Sequence, residues 1–219
     1  MRRWDPSLLL SVGLAAGFLL LSAWVVSGRT AAFDAHAVAF VREAASPVLT
    51  AAAKGLHAIG DVGGMILLVV LTLGILYAGL RLRRELVWFV GVQIGSFVTN
   101  ELLKRTIARS RPIEMPVVDV SGYSYPSGHA MAAVAFCGAL AMLLWPRLST
   151  RGRGLLLAGC VLWPFAMGVS RVYLGVHYPT DVVGAYLAGG SWLCFAVWLK
   201  RRAVKRAPTV SGRRFSVPR

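Results

Sequence analysis

The sequence predicts an all-α integral membrane bundle of six transmembrane helices, with an interfacial helical stretch between the first two. Three observations predict it. First, 57% of the 219 residues are hydrophobic and only 15% are charged; a soluble domain carries about a quarter charged residues. The mean hydropathy is +0.64. Second, the apolar residues fall into six long runs rather than into short stripes. Third, the net charge of +15, from 24 Lys and Arg against 9 Asp and Glu, sits mostly between those runs. A nucleic-acid binder would instead gather its cations on one soluble face. No nucleic-acid partner is therefore expected, and the basic balance reads as the charged loops of a bilayer protein.

A helix needs about 20 apolar residues to cross the hydrocarbon core. The first run spans Ser7 to Ser27. Arg2 and Arg3 precede it, as in a signal peptide, but the apolar stretch is too long for one, so it reads as an uncleaved anchor. The second run spans Val62 to Leu80 and the third Leu86 to Leu103. The fourth spans His129 to Trp145, the fifth Leu155 to Ser170 and the sixth Val182 to Leu199. Gln93, Asn100 and Glu101 interrupt the third run and are expected to face other helices rather than lipid.

Between the first two runs lies a less apolar stretch, Arg29 to Asp61. Phe33, Val38, Phe40 and Val41 share it with Arg42, Glu43 and Lys54. The spacing suits an amphipathic helix broken near Pro47, lying in the interface or packed outside the membrane. Residues 1–206 form one membrane domain, and residues 207–219 read as a basic, disordered cytoplasmic tail that can lie against anionic lipid. Cys137, Cys160 and Cys194 all lie inside apolar runs, odd in number and without CxxC spacing, so neither a disulfide framework nor a metal site is read from them.

Alternate loops differ in basic content. One side collects sixteen Lys and Arg, including both terminal segments; the other collects eight. The positive-inside bias places both termini in the cytoplasm and the long loops outside the plasma (inner) membrane. Half of the minority set is concentrated at Lys104, Arg105, Arg109 and Arg111. Such a run must find anions or water: an anion site and a solvated juxtamembrane charge run are both open, the latter being unusual on the outer side.

Two further clusters fall on the same face. Tyr125-Pro126-Ser127-Gly128-His129 reads as a turn feeding the start of the fourth helix. A helix N-terminus offers free N–H groups and the positive end of a dipole, a ready phosphate site. The second cluster is Ser170-Arg171, five residues, His177, three residues, Asp181. With the sixth helix starting near Pro179, His177 and Asp181 meet across one turn. A carboxylate on one imidazole nitrogen fixes the tautomer and frees the other, as a nucleophilic histidine requires. A structural His–Asp pair is the alternative.

With these residues the sequence resembles the type 2 phosphatidic acid phosphatase superfamily, which also includes bacterial acid phosphatases and vanadium haloperoxidases. Its signature is a lysine, six residues and Arg-Pro; then Pro-Ser-Gly-His; then Ser-Arg, five residues, His, three residues, Asp. Lys104, Arg111 and Pro112 match the first part, Pro126 to His129 the second, and Ser170, Arg171, His177 and Asp181 the third. The resemblance covers the motifs at 104–181 and extends through the six-span layout. It implies a lipid phosphatase; activity without a metal or other cofactor is a separate expectation, from the cations and the scarcity of metal ligands. His177 would attack phosphorus and become a phosphohistidine, Asp181 would orient it, and His129 would protonate the leaving oxygen. Lys104, Arg111 and Arg171 would hold the phosphoryl oxygens, helped by Ser127 and the Gly128 N–H.

Charge arithmetic is consistent with that. Each cation about 4 Å from a phosphoryl oxygen contributes about 4 kcal/mol at an effective dielectric near 20, so three can neutralise the developing charge. Metal ligands are scarce: no HExxH or paired-carboxylate spacing occurs. The expected substrates are lipid phosphates: phosphatidic acid, phosphatidylglycerol phosphate or undecaprenyl pyrophosphate. The compact, short-looped chain looks like the small bacterial members. The alternatives are a non-catalytic lipid transporter or scramblase, which needs charges but no intact nucleophile, and a vanadium haloperoxidase-like enzyme.

Overall fold

A computed structural model describes residues 5–112 and 116–206. The expected tail at 207–219 lies outside the described residues. The described residues are mostly helical: α1 Pro6–Val26, α2 Ala31–Glu43, α3 Pro47–Gly60, α4 Val62–Gly74, α5 Leu86–Ile107, α6 Gly128–Leu144, α7 Thr150–Tyr173 and α8 Pro179–Arg206, with a long loop between α5 and α6. α4 continues as a π-helical turn, Ile75–Gly79. Among the described residues, six helices are long and apolar enough to cross a membrane. They carry their exposed large side chains outward, among them Leu19, Leu20, Ile66, Leu67, Phe97, Leu162 and Phe165. Such faces are stable only against lipid. The protein is a multi-pass membrane protein.

The helix starts are built from local chemistry. Asp5 accepts from the Ser7 N–H ahead of α1, and Ser149 from the Gly152 N–H ahead of α7; both satisfy otherwise orphaned first-turn donors. The break expected near Pro47 is present. Ser46 caps α3, and Pro47 takes the first-turn position where its missing N–H costs nothing. α7 and α8 run several residues past their apolar cores, because basic and small polar residues continue a helix after hydropathy has fallen.

α1 and α8 pack along each other through small residues. Ser11 and Ser191 exchange hydrogen bonds to each other's carbonyls, at 2.9 and 3.0 Å. Close approach is also required at Gly168 of α7. A Cβ there would lie 2.1 Å from the Tyr186 hydroxyl, which donates to the Pro164 carbonyl at 2.7 Å. Small residues at such contacts let membrane helices pack where lipid offers no hydrophobic driving force.

At one end of the bundle Glu85 pairs with Lys200 at 2.5 Å and Arg147 at 3.8 Å, and Arg201 reaches Asp5 at 3.6 Å. This end gathers the starts of α1, α5 and α7 with the finish of α8. The opposite end carries α2 and α3, the loop after α5 and the α7–α8 turn. Tyr173 of α7 holds the start of α3 there, its hydroxyl meeting Thr50 Oγ1 at 2.7 Å and the Ser46 N–H at 3.1 Å.

Candidate active site

Every signature residue lies at that second end. Three local devices place them. α7 ends in a Schellman arrangement: Val176 N–H reaches the Arg171 carbonyl and Gly175 N–H the Val172 carbonyl, with Gly175 at φ 70°. Only glycine adopts that left-handed position without cost. The turn projects His177 back over the bundle. α5 ends at Ala108, also left-handed at φ 50°, which turns Arg109 and Arg111 inward. Ser127 starts α6, but its side chain makes no cap hydrogen bond.

His177 is 2% exposed. Its Nδ1 lies 3.3 Å from Asp181 Oδ2. Its Nε2 lies 3.2 Å from Arg111 Nη1. A guanidinium only donates, so Nε2 carries the lone pair and Nδ1 the proton given to Asp181. Burial pushes the imidazole down to about 4, so at neutral pH it is uncharged and Nε2 keeps its lone pair. Asp181 Oδ2 also accepts from the Tyr178 N–H at 2.8 Å and from the Ser124 hydroxyl. These bonds fix the carboxylate before it fixes the histidine.

Arg109 completes the support. It donates to Asp181 Oδ1 at 2.6 Å and to Asp34 Oδ2 at 2.7 Å, and lies over the Tyr178 ring at 4.1 Å. Asp34, on α2, is fully buried and also accepts from the Thr180 N–H at 3.1 Å and the Thr180 hydroxyl at 2.7 Å. It thereby caps α8 from a different helix. The two carboxylates raise the affinity of Arg109 for its proton against the opposing effect of burial.

The anion-binding side is built from donors without acceptors. Arg171 is fully buried, and its Nε and Nη2 have no hydrogen-bond partner among the described residues. Ser127 Oγ is likewise buried and unpaired. The first-turn N–H groups of α6 add to these, because that helix lacks a side-chain cap. A buried unsatisfied donor costs about 1–3 kcal/mol, more when charged. So dense a set at one place marks where an anion belongs. Lys104 stands beside it: a Cβ on Gly128 would lie 3.6 Å from Lys104 Nζ.

Lys104, Arg111, Gly128, His129, Arg171 and His177 line one cavity of about 980 Å³. The cavity runs on between α4 and α5, walled by Val62, Met65, Ile66, Val69, Val70, Ile94 and Phe97. Ile66, Val70, Ile94 and Phe97 are exposed on the outer face, so the groove opens sideways between apolar helix surfaces. Asn100 turns inward, bonding the Pro126 carbonyl at 3.3 Å, and Gln93 and Glu101 line the groove.

A match to the family model "PAP2 superfamily" covers residues 85–205, more than half of the chain. The chain belongs to the PAP2 superfamily. A solved structure of a transmembrane PAP2 type phosphatidylglycerolphosphate phosphatase from Bacillus subtilis superposes with a TM-score of 0.78 at 27% identity, covering 90% of this chain and 98% of that one. Phosphatidylglycerophosphatase B of Bacillus subtilis (strain 168) is 40% identical over 94 residues, 41% of this chain and 45% of that protein. Undecaprenyl-diphosphatase of Sulfolobus acidocaldarius is 34% identical over 106 residues, 46% of this chain and 47% of its own length. The chain thus spans about half the length of these curated relatives. The PAP2 match begins at residue 85, so α2 and α3 lie outside it. Yet those helices contribute Asp34 and His57 to the site. Sequence reading left both aside, along with Arg109 and Ser124. Only the four-cation run pointed toward Arg109, and nothing local pointed toward the others.

Proposed function

We propose that the protein is a lipid phosphatase that cleaves a phosphomonoester or pyrophosphate through a phosphohistidine on His177, without a metal. One observation carries the reading: a buried arginine with two unpaired donors ends a groove that opens sideways between largely apolar faces of α4 and α5. A phosphate satisfies the first, and acyl or prenyl chains suit the second.

The neutral His177 Nε2 attacks phosphorus while the bond to the leaving oxygen breaks. His129 gives that oxygen its proton. Asp181 stabilises the charge on the phosphorylated imidazole through Nδ1–H. Lys104, Arg111, Arg171, Ser127 and the Gly128 N–H hold the equatorial oxygens. Water then attacks phosphorus, gives a proton to His129 and breaks the P–N bond, releasing phosphate. A scramblase needs none of this paired nucleophile and acid, and PAP2 relatives named as lipid phosphatases support hydrolysis.

The test is phosphate release by the detergent-purified protein from phosphatidic acid, phosphatidylglycerol phosphate and undecaprenyl pyrophosphate. Release from at least one is expected, undiminished in excess EDTA. Silence on all three removes the phosphatase reading; loss with EDTA restored by magnesium removes the metal-free one.

The basic excess at the Glu85–Lys200 end supports a cytoplasmic position for both termini and an outward site. Asp119 lines the groove at the site end. A membrane-impermeant maleimide is expected to label Asp119→Cys in intact cells. Labelling only after lysis would reverse the orientation.

A further inference from the structure

His57 belongs to none of the signature motifs, yet it touches two of their residues. Its Nδ1 lies 2.9 Å from Arg171 Nη1 and 3.2 Å from His129 Nε2. Its carbonyl oxygen lies 3.3 Å from the same His129 nitrogen. The two rings stack with centroids 5.2 Å apart and planes 25° from parallel. One turn further along α3, Gly60 makes the approach possible: a Cβ there would lie 2.5 Å from His129 Cδ2.

Donor and acceptor roles follow from Arg171. A guanidinium never accepts, so His57 Nδ1 carries a lone pair and His57 is neutral. Burial and the charge of Arg171 keep it so, against the opposing pull of Asp61. A lone pair and a carbonyl oxygen are both acceptors. His129 Nε2 therefore donates, and Nδ1 is the nitrogen left for the reacting oxygen.

We propose that His57 is a positioning residue for leaving-group protonation: it holds the Nε2–H of His129 from behind and aims His129 Nδ1 at the departing oxygen. The second half of the site is then built like the first. Asp181 fixes the nucleophile from its far nitrogen, and His57 fixes the acid from its far nitrogen. The acceptor also spreads the positive charge of His129 while it carries two protons. The proposal rests on the phosphatase reading above.

Leaving-group chemistry separates this role from simple packing or from support of Arg171. An alkoxide must be protonated as it leaves, whereas a nitrophenolate departs unaided. The experiment compares a long-chain alkyl phosphomonoester with a nitrophenyl phosphomonoester, in wild type, His57→Ala, His57→Asn and His129→Ala. His57→Ala is expected to slow phosphoenzyme formation in a single turnover of the alkyl ester by about tenfold or more, with a much smaller loss on the nitrophenyl ester; that readout leaves out phosphoenzyme hydrolysis, which is common to both esters. His129→Ala should show the same selectivity with a larger loss. His57→Asn presents a carbonyl oxygen close to where Nδ1 stood and should recover most of the alkyl-ester rate. Gly60→Ala, which pushes a methyl group into His129, gives an independent second probe and should show the same selectivity.

Equal losses of phosphoenzyme formation on both esters, an unaffected His57→Ala or an Asn variant no better than Ala each overturn the proposal. If wild type cleaves neither ester and releases no phosphate from the lipid phosphates and pyrophosphate above, the phosphatase reading itself has failed, a result distinct from failure of the variants alone.

Discussion

His177→Ala is expected to reduce phosphate release by about 10⁴–10⁶-fold, to the level of background, since on the proposed mechanism the variant lacks the covalent nucleophile and with it the pathway. The geometry around His177 gives the reason. Nε2 is the one nitrogen of His177 that carries a lone pair, because Nδ1 is committed to Asp181 at 3.3 Å. Burial holds the ring neutral, so that lone pair is available at neutral pH. Asp181→Asn keeps the shape but offers an amide that can donate to Nδ1 and favour the wrong tautomer. A loss of about 10²–10⁴-fold is expected there. Rapid quenching in base with a labelled substrate should trap a phosphoenzyme in wild type and none in His177→Ala. Turnover at the wild-type rate in the alanine variant, with its thermal unfolding unchanged, would falsify the assignment of the nucleophile.

Arg109→Met should destabilise the protein by about 3–5 kcal/mol, because it strands two buried carboxylates at once. Asp181 is fully buried and the Asp34 side chain is 1% exposed, so neither is rescued by solvent. Thermal unfolding in detergent measures the effect. Asp34→Asn should be milder, since the amide oxygen can still accept from Arg109 and the Thr180 hydroxyl. A double-mutant cycle over Asp34 and Arg109 should show coupling of about 0.5–3 kcal/mol. A near-zero coupling would mean that the two residues merely adjoin, despite the 2.7 Å contact. Arg109→Met should also loosen Asp181, so a residual folded fraction should show depressed kcat.

The parts of the site read from sequence share one property: each sits at a fixed short spacing within a turn or helix start. His177 and Asp181 are four residues apart at the mouth of α8, and Ser127 to His129 open α6. The spans were legible for a similar reason, since a run of apolar residues long enough to cross lipid has few other uses. Even the break at Pro47 follows from a missing N–H. Asp34 and His57 carried no such signal. Asp34 meets Thr180 and Arg109 across sequence separations of 146 and 75 residues. His57 meets His129 across 72 residues and Arg171 across 114.

What the sequence by itself determined is therefore the membrane bundle and the three motifs that meet at one of its ends, because local spacing, hydropathy and helix-end chemistry act within a few residues. What only the tertiary structure decided is which outlying residues complete the site. The packing of α2 and α3 over the helix mouths buries Asp34 beside Arg109 and sets His57 against His129. A buried charge or a neutral imidazole takes its role from whatever lies within about 3 Å of it, and that neighbourhood is made by folding.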